Sequence, residues 1–206
     1  MINETRPGDE YGLRIDTSKA ENARLFVSRK SLTEHCVGLV PHKPFIAEVG
    51  VFQGKFSETL LDLFKPTRFF LIDTFGVDDH IDKLFTAEEH FDYIQKKFVD
   101  KDVFFFIKGF SWDGLNYLTD NSLDYIYIDA DHRYDSVKMD IEAAYRKLKS
   151  GGILQFNDYC TFSLYENLFY GVLNAVNEFI ESHDVTLVGL SIDRSGYHDL
   201  ALQVRK

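Results

Sequence analysis

Residues 45–49, Phe-Ile-Ala-Glu-Val, form an apolar run of β-branched and small side chains that holds one acid and leads into two spaced glycines, Gly50 and Gly54. Such a run predicts a buried parallel strand, then a turn whose backbone can lie close to a ligand. Phe56, Leu60, Leu61 and Phe64 recur at helical spacing, so a helix follows the turn directly. The same alternation continues along the chain. Residues 67–73, 103–107, 123–129 and 153–158 read as further strands. Between them lie helical patterns over 87–99 and 111–118, and one carrying Val137, Ile141, Ala144 and Leu148 that stops at Gly151-Gly152. A last helix carries Val172, Ala175, Val176, Phe179 and Ile180, and residues 184–190 and 198–204 close the chain as two strands joined by a turn at Asp193 to Gly196.

Ahead of the first strand, a loose arm runs to about Asp16, and Thr17 or Ser18 is placed to cap a helix presenting Leu25, Phe26, Leu32, Cys36 and Val40 until Pro41 and Pro44 end it. Residues 1–44 therefore read as an arm and a helix, packed on the sheet edge or closing as a lid over a ligand. Alternating strands and helices predict an α/β fold: a mostly parallel central sheet of about seven strands, helices on both faces and an antiparallel last strand.

Charge narrows the partners. Asp and Glu number 33 against 23 Lys and Arg, a net charge of -10 that repels phosphate backbones and anionic lipid, and no basic cluster offsets it. Nucleic acid and membrane are thereby disfavoured as partners, and self-association into a homo-oligomer is left open. A polar N-terminus and the lack of an apolar run of spanning length suggest a cytoplasmic protein, in which Cys36 and Cys160 are free thiols.

The polar residues that end each predicted strand are where chemistry belongs, because open α/β sheets bind ligands beyond the carboxyl ends of their strands. At the glycine turn, backbone amides and a helix N-terminus favour a negatively polarised oxygen, while Glu48 attracts a cation, a combination suited to a zwitterion. Asp73, at the end of the next strand, can accept both hydroxyls of a ribose. A dinucleotide turn needs a middle glycine where Phe52 stands. The cluster Asp78-Asp79-His80 reads as exposed loop polarity. Tyr159, Phe162, Tyr165, Phe169 and Tyr170 are an aromatic stretch that either fills core or walls an acceptor pocket.

The turn at Glu48, Gly50 and Gly54 resembles the first motif of class I S-adenosylmethionine-dependent methyltransferases. That resemblance implies a methionine subsite at Glu48, Gly50, Val51, Phe52 and Gly54, a ribose subsite at Asp73 and Thr74, and an adenine subsite at Gly109, Phe110 and Ser111, with Asp129 bordering the cofactor. Two further stretches, Tyr127-Ile-Asp-Ala-Asp-His-Arg-Tyr-Asp-Ser-Val137 and Gly151-Gly-Ile-Leu-Gln-Phe-Asn-Asp-Tyr159, resemble the small O-methyltransferases of the macrocin type and, more distantly, the catechol type. They imply Asp129, Asn157 and Asp158 as ligands of a divalent ion such as Mg²⁺, His132 as general base with Asp131 next in line, and methylation of a hydroxyl on a small molecule, a sugar or a phenol. Asn157 stands where the family carries an acid, so the ion would be held by one charge fewer. On this reading residues 45–206 are the cofactor-binding domain. A non-catalytic adenosyl-ligand binding protein and a dinucleotide-dependent oxidoreductase are the alternatives.

Overall fold

The computed structural model describes residues 17–76, 86–193 and 195–206; the Asp78-Asp79-His80 loop lies outside them. In chain order the strands and helices are β1 (Arg24–Phe26), α1 (Arg29–Val37), β2 (Phe45–Val49), α2 (Lys55–Phe64), β3 (Arg68–Asp73), α3 (Ala87–Lys97), β4 (Phe104–Lys108) and α4 (Ser111–Asn116). They continue with β5 (Leu123–Ile128), α5 (Tyr134–Lys147), β6 (Leu148–Phe156), β7 (Phe162–Ser163), β8 (Leu168–Phe169), α6 (Val172–Ser182), β9 (Val185–Ser191) and β10 (Leu200–Val204). Eight of the strands form one sheet in the order β1-β9-β10-β6-β5-β2-β3-β4, one strand more than the sequence pattern predicted. Among the described strands of this sheet, only β10 runs antiparallel to its neighbours. β7 and β8 make a separate small hairpin.

The pattern along the strands explains the layers. Ile46, Phe69, Leu71, Tyr125 and Tyr127 pack with Leu32, Cys36, Leu60 and Ile94, so α1, α2 and α3 cover one face. Ala47, Val49, Ile72 and Ile126 pack with Leu115, Val137, Ile141, Val176 and Ile180, so α4, α5 and α6 cover the other. Central strands covered on both faces need continuous apolar runs; β5 is buried along its whole length. From β2 the chain steps outward through β3 to β4, then returns to β5 and steps the other way to β6. The reversal opens a crevice beyond the ends of β2 and β5. No helix among the described residues is long and apolar enough to cross a membrane.

Two boundaries differ from expectation. The helix expected from Thr17 is a short 3-10 turn over Thr17–Ala20, followed by β1; α1 starts only at Arg29, capped by Ser28, whose Oγ accepts from the amide of Ser31 at 3.2 Å. Leu25 and Phe26 belong to a strand because β1 lies parallel to β9 with Arg24 opposite Gly189, and a Cβ at Gly189 would stand 2.5 Å from the Phe26 ring. Likewise α5 ends at Lys147 and not at Gly151-Gly152, because Leu148 already pairs with Leu123 in the sheet. Local periodicity gave way to pairing with distant strands in both cases.

The close approach at Gly189 yields a direct test. Gly189→Ala forces the Phe26 ring or the Arg24 carbonyl to move, so it is expected to cost about 1–3 kcal/mol, the usual range for overpacking. Urea unfolding of the variant beside the parent measures this, and an unchanged midpoint would show that β1 is not held against β9.

Candidate active site

The glycine turn is fastened between its neighbouring strands. The Gly50 amide donates to the Ile72 carbonyl at 2.9 Å, and the Asp129 amide donates to the Val49 carbonyl at 2.7 Å. Gly50 has φ +85°, and a Cβ there would lie 1.8 Å from the Asp129 carbonyl oxygen, so no side chain fits. Asp73 completes the turn. Its Oδ2 accepts from the amides of Val51 at 2.6 Å and Phe52 at 3.2 Å, and its Oδ1 from the amide of Phe75 at 2.7 Å. A carboxylate has about four acceptor positions; three go to these amides and the fourth to the Thr74 hydroxyl at 3.4 Å, so Asp73 shapes the turn, and a ligand hydroxyl would take the place of that longest bond. Gly54 caps the start of α2 and borders neither of the two adjoining cavities, so the structure places it behind the turn.

Those cavities share Gly50, Phe52, Asp129, Ala130, Asp131 and Arg133. The first, about 560 Å³, is bordered by Glu48, Val51, Gln53 and Phe56 at the turn, by Arg29 on α1, and by His132, Glu166, Phe169 and Tyr170. The second, about 400 Å³, is bordered by Asp73, Thr74, His90, Phe110, Ser111 and Trp112. Phe110 and Trp112 are stacked nearly parallel, 5.1 Å apart, and Phe110 is 58% exposed, which leaves an aromatic face for a flat heterocycle. Gly109 has open space around it and donates its amide to the Asp73 carbonyl at 3.0 Å, holding the ends of β3 and β4 together. One cavity suits a nucleoside and its neighbour a charged tail. The residues present therefore fit an adenosyl amino acid.

Glu48 is 1% exposed and accepts a hydrogen bond from Ser57 on α2. Burial pushes its carboxyl well above the usual range, with Asp129 and Asp73 adding to the effect and Ser57 opposing it. A ligand ammonium beside it would favour the ionised form.

A third cavity of about 520 Å³ adjoins the first through Arg29, Asp129, His132, Glu166 and Tyr170 and reaches Asn157, Asp158, Ser163, Tyr165, Asp193, Tyr197 and Asp199. At its junction with the first, His132 Nε2 lies 3.6 Å from Asp129 Oδ1 and 3.7 Å from Asp158 Oδ2, and the ring stacks on Tyr170 at 4.4 Å. Burial lowers the affinity of His132 for a proton, but the nearby Asp129 and Asp158 carboxylates outweigh it, so its pKa is raised above 6.5; Nε2 itself is buried with no hydrogen-bond partner among the described residues. Asp158, at φ +51°, is pushed up to about 6 by burial and by Asp129, with His132 and Arg29 opposing. Asp131 is committed elsewhere: Arg133 Nε donates to it at 2.7 Å and Ser136 Oγ at 2.7 Å, and despite its burial these bonds hold it below the usual range.

The expected metal ligands Asp129, Asn157 and Asp158 do come together at the ends of β5 and β6. However, an imidazole nitrogen stands between the two carboxylates, Asn157 Nδ2 donates to Asp199 Oδ1 at 3.3 Å, and no three His, Cys, Asp or Glu side chains among the described residues are grouped as a metal site. Beyond the convergence of the two carboxylates, the arrangement lends the magnesium expectation no support.

Several residues here escaped the sequence pattern. Asp199 is buried beneath the third cavity and accepts from Tyr127 Oη at 3.2 Å and Gln155 Nε2 at 3.0 Å. Arg29 donates to Tyr127 Oη at 2.8 Å and pairs with Asp129 at 3.5 Å. Trp112 and Glu166 join the cavity walls. The only signal for Asp199 was an acid opening an otherwise apolar last strand.

A crevice of two adjoining cavities at a strand-order reversal is the arrangement of the class I S-adenosylmethionine-dependent methyltransferase fold. Residues 47–159, over half the chain, match a family described as a methyltransferase domain, and the chain belongs to that family. No curated protein matches the sequence. Among solved structures, a protein from Clostridium thermocellum described as an rRNA-methylase candidate superposes with a TM-score of 0.63 at 14% identity, covering 87% of this chain and 98% of its own. A methyltransferase candidate from Streptococcus mutans, solved with SAH (S-adenosylhomocysteine), gives 0.60 at 11% identity, covering 86% and 98%. Spermidine synthase from Thermotoga maritima gives 0.55 at 15% identity, covering 84% of this chain and 58% of its own. At such identities the likeness is one of fold.

The buried Asp199 makes stability depend on pH. Burial pushes its carboxyl up to about 7, with Arg29, Gln155 and Asn157 opposing, whereas the unfolded chain titrates near the ordinary Asp value of about 3.9. Between these values the folded state binds more protons, so this group's contribution falls as pH rises from about 4 to 7. Asp199→Asn removes that contribution: the melting-temperature difference, variant minus parent, is expected to increase across this range. A constant difference would mean that Asp199 is ionised in the fold throughout.

Proposed function

We propose that the chain transfers a methyl group to a hydroxyl of a small polar acceptor, a sugar or a phenol, and that His132 takes up the hydroxyl proton. The observation that carries this reading is the position of His132 Nε2, 3.6 and 3.7 Å from two carboxylates, where the cavity at the glycine turn meets the third cavity. S-adenosylmethionine, when bound, supplies an electrophilic methyl on a positively charged sulfur. Glu48, Gly50, Val51 and Phe52 would hold its methionine end, Asp73 and Thr74 the ribose, and Phe110, Ser111 and Trp112 the adenine. The acceptor would lie in the third cavity with its hydroxyl toward His132. Neutral imidazole takes the proton at Nε2, and Asp129 and Asp158 stabilise the imidazolium that forms. The ring stacked on Tyr170 has little freedom to turn away. Alignment accounts for much of the remaining rate.

Acids dominate the third cavity: Asp129, Asp158, Glu166, Asp193 and Asp199 against Arg29 and His132. That balance, within a chain of net charge -10, supports a dissolved small molecule over a phosphate-rich RNA or a membrane surface and is compatible with work in the cytoplasm. A second reading keeps a divalent ion on Asp129, Asn157 and Asp158. It is favoured by the convergence of two carboxylates from adjacent strand ends, and the ion would lower the pKa of the acceptor hydroxyl.

Screening hydroxylated sugars and phenols for release of S-adenosylhomocysteine tests the reading. Because the neutral imidazole predominates only above its raised pKa, the acid limb of the rate profile is expected above pH 6.5. His132→Gln is expected to lower turnover at pH 7 by about 10²–10⁴-fold, with little change in affinity for the demethylated cofactor. Full turnover in excess chelator sustains the proton-transfer reading. Loss of turnover on chelation, with restoration by Mg²⁺, supports the metal instead.

A further inference from the structure

Arg29 precedes the residues that match the methyltransferase family, yet it borders both the cavity at the glycine turn and the third cavity. It is the first residue of α1, held there by the Ser28 cap. Its guanidinium carbon lies 4.3 Å from the centre of the Phe56 ring, so one flat face is covered and the edges of the group are left for hydrogen bonds. Among the described residues its polar contacts all run through one nitrogen: Nη1 donates to Tyr127 Oη at 2.8 Å and lies 3.5 Å from Asp129 Oδ2. Nε and Nη2, the pair that forms the side-on fork of an arginine, have no partner there. The side chain is 39% exposed. A fork of two parallel N–H donors matches a carboxylate in geometry and charge.

The other cations along this cavity are poorer candidates. Arg133 is bound to Asp131 through Nε at 3.0 and 2.7 Å, and His132 stands between Asp129 and Asp158. Lys55 is exposed at the start of α2. Only Arg29 combines a permanent charge, partial burial, an orienting ring and two donors to spare. We propose that Arg29 binds the α-carboxylate of the cofactor's methionine portion side-on through Nε and Nη2, while the ammonium group of the same amino acid lies toward Glu48. This rests on the crevice being the adenosyl-cofactor site, and it makes α1 part of that site.

Two ligands that differ in the amino-acid tail isolate the contact. S-adenosylhomocysteine carries the α-carboxylate; 5′-methylthioadenosine keeps the adenosine and sulfur but lacks the tail. Calorimetric titration of the parent, Arg29→Gln and Arg29→Lys with both is expected to show S-adenosylhomocysteine weakened about 10–100-fold in Arg29→Gln, the range for losing a charged hydrogen-bonded contact. Arg29→Lys should fall between, and 5′-methylthioadenosine should bind all three proteins alike. Because it binds the same crevice, it also reports whether each variant is folded. Equal weakening of both ligands would overturn the proposal and make Arg29 a support for the turn. Unchanged binding of both would also overturn it, leaving the carboxylate to Lys55 or the amides at the start of α2. If the parent binds neither ligand, the cofactor assignment itself fails and this proposal falls with it.

Discussion

The site depends on one close approach, that of the Gly50 backbone to the Asp129 carbonyl oxygen, where a Cβ would stand at 1.8 Å. It draws the turn after β2 onto the end of β5, the two strands at which the sheet order reverses. Much of the crevice wall at the ends of β2, β3, β5 and β6 is arranged around this contact. The Asp129 carboxylate and the His132 loop follow directly from β5, and the amides of Val51 and Phe52 are turned toward Asp73. The Asn157 amide, which donates to the Ile128 carbonyl at 2.9 Å, brings the end of β6 alongside. A strand-order reversal provides only a gap; the packed glycine turn gives it a shaped wall.

The second organising constraint is electrostatic. Glu48, Asp129, Asp158 and Asp199 gather at one end of the sheet, and burial raises the cost of ionising Glu48, Asp158 and Asp199. Arg29 is the permanent positive charge placed among them, His132 carries one only when protonated, and each meets a carboxylate at ion-pair distance. An excess of negative charge suits a cofactor that arrives with an ammonium and a sulfonium. It would also suit His132 in the proposed role of proton acceptor. A structure of this kind holds charge in readiness for its ligands, at some cost to its own stability.

Most of this was legible in the sequence because it is local. The run from Phe45 to Val49 with Gly50 after it, the acid at Asp73, and the phrase from Asp129 to His132 each report a strand end within a few residues, and the structure places each beside the crevice. What could not be read depends on distant pairing. Leu25 and Phe26 fit a helical face as well as a strand, and only the missing side chain at Gly189, far along the chain, decides between them. Arg29 and Asp199 lie near opposite ends of the chain and meet around Tyr127. No periodicity marks such a meeting. Asp131 stood next in line to His132 as a base, and its bonds to Arg133 and Ser136, which no local pattern announces, commit it elsewhere.

The central claim is that the crevice at the ends of β2 and β5 holds the adenosyl cofactor with its sulfur directed at His132. A crystal structure of the complex with S-adenosylhomocysteine tests it most directly. The account predicts adenine against Phe110 and Trp112, ribose at Asp73, and the sulfur on the side of the crevice that His132 faces. A ligand bound elsewhere, or one lying in the crevice with its sulfur turned away from His132, would contradict it.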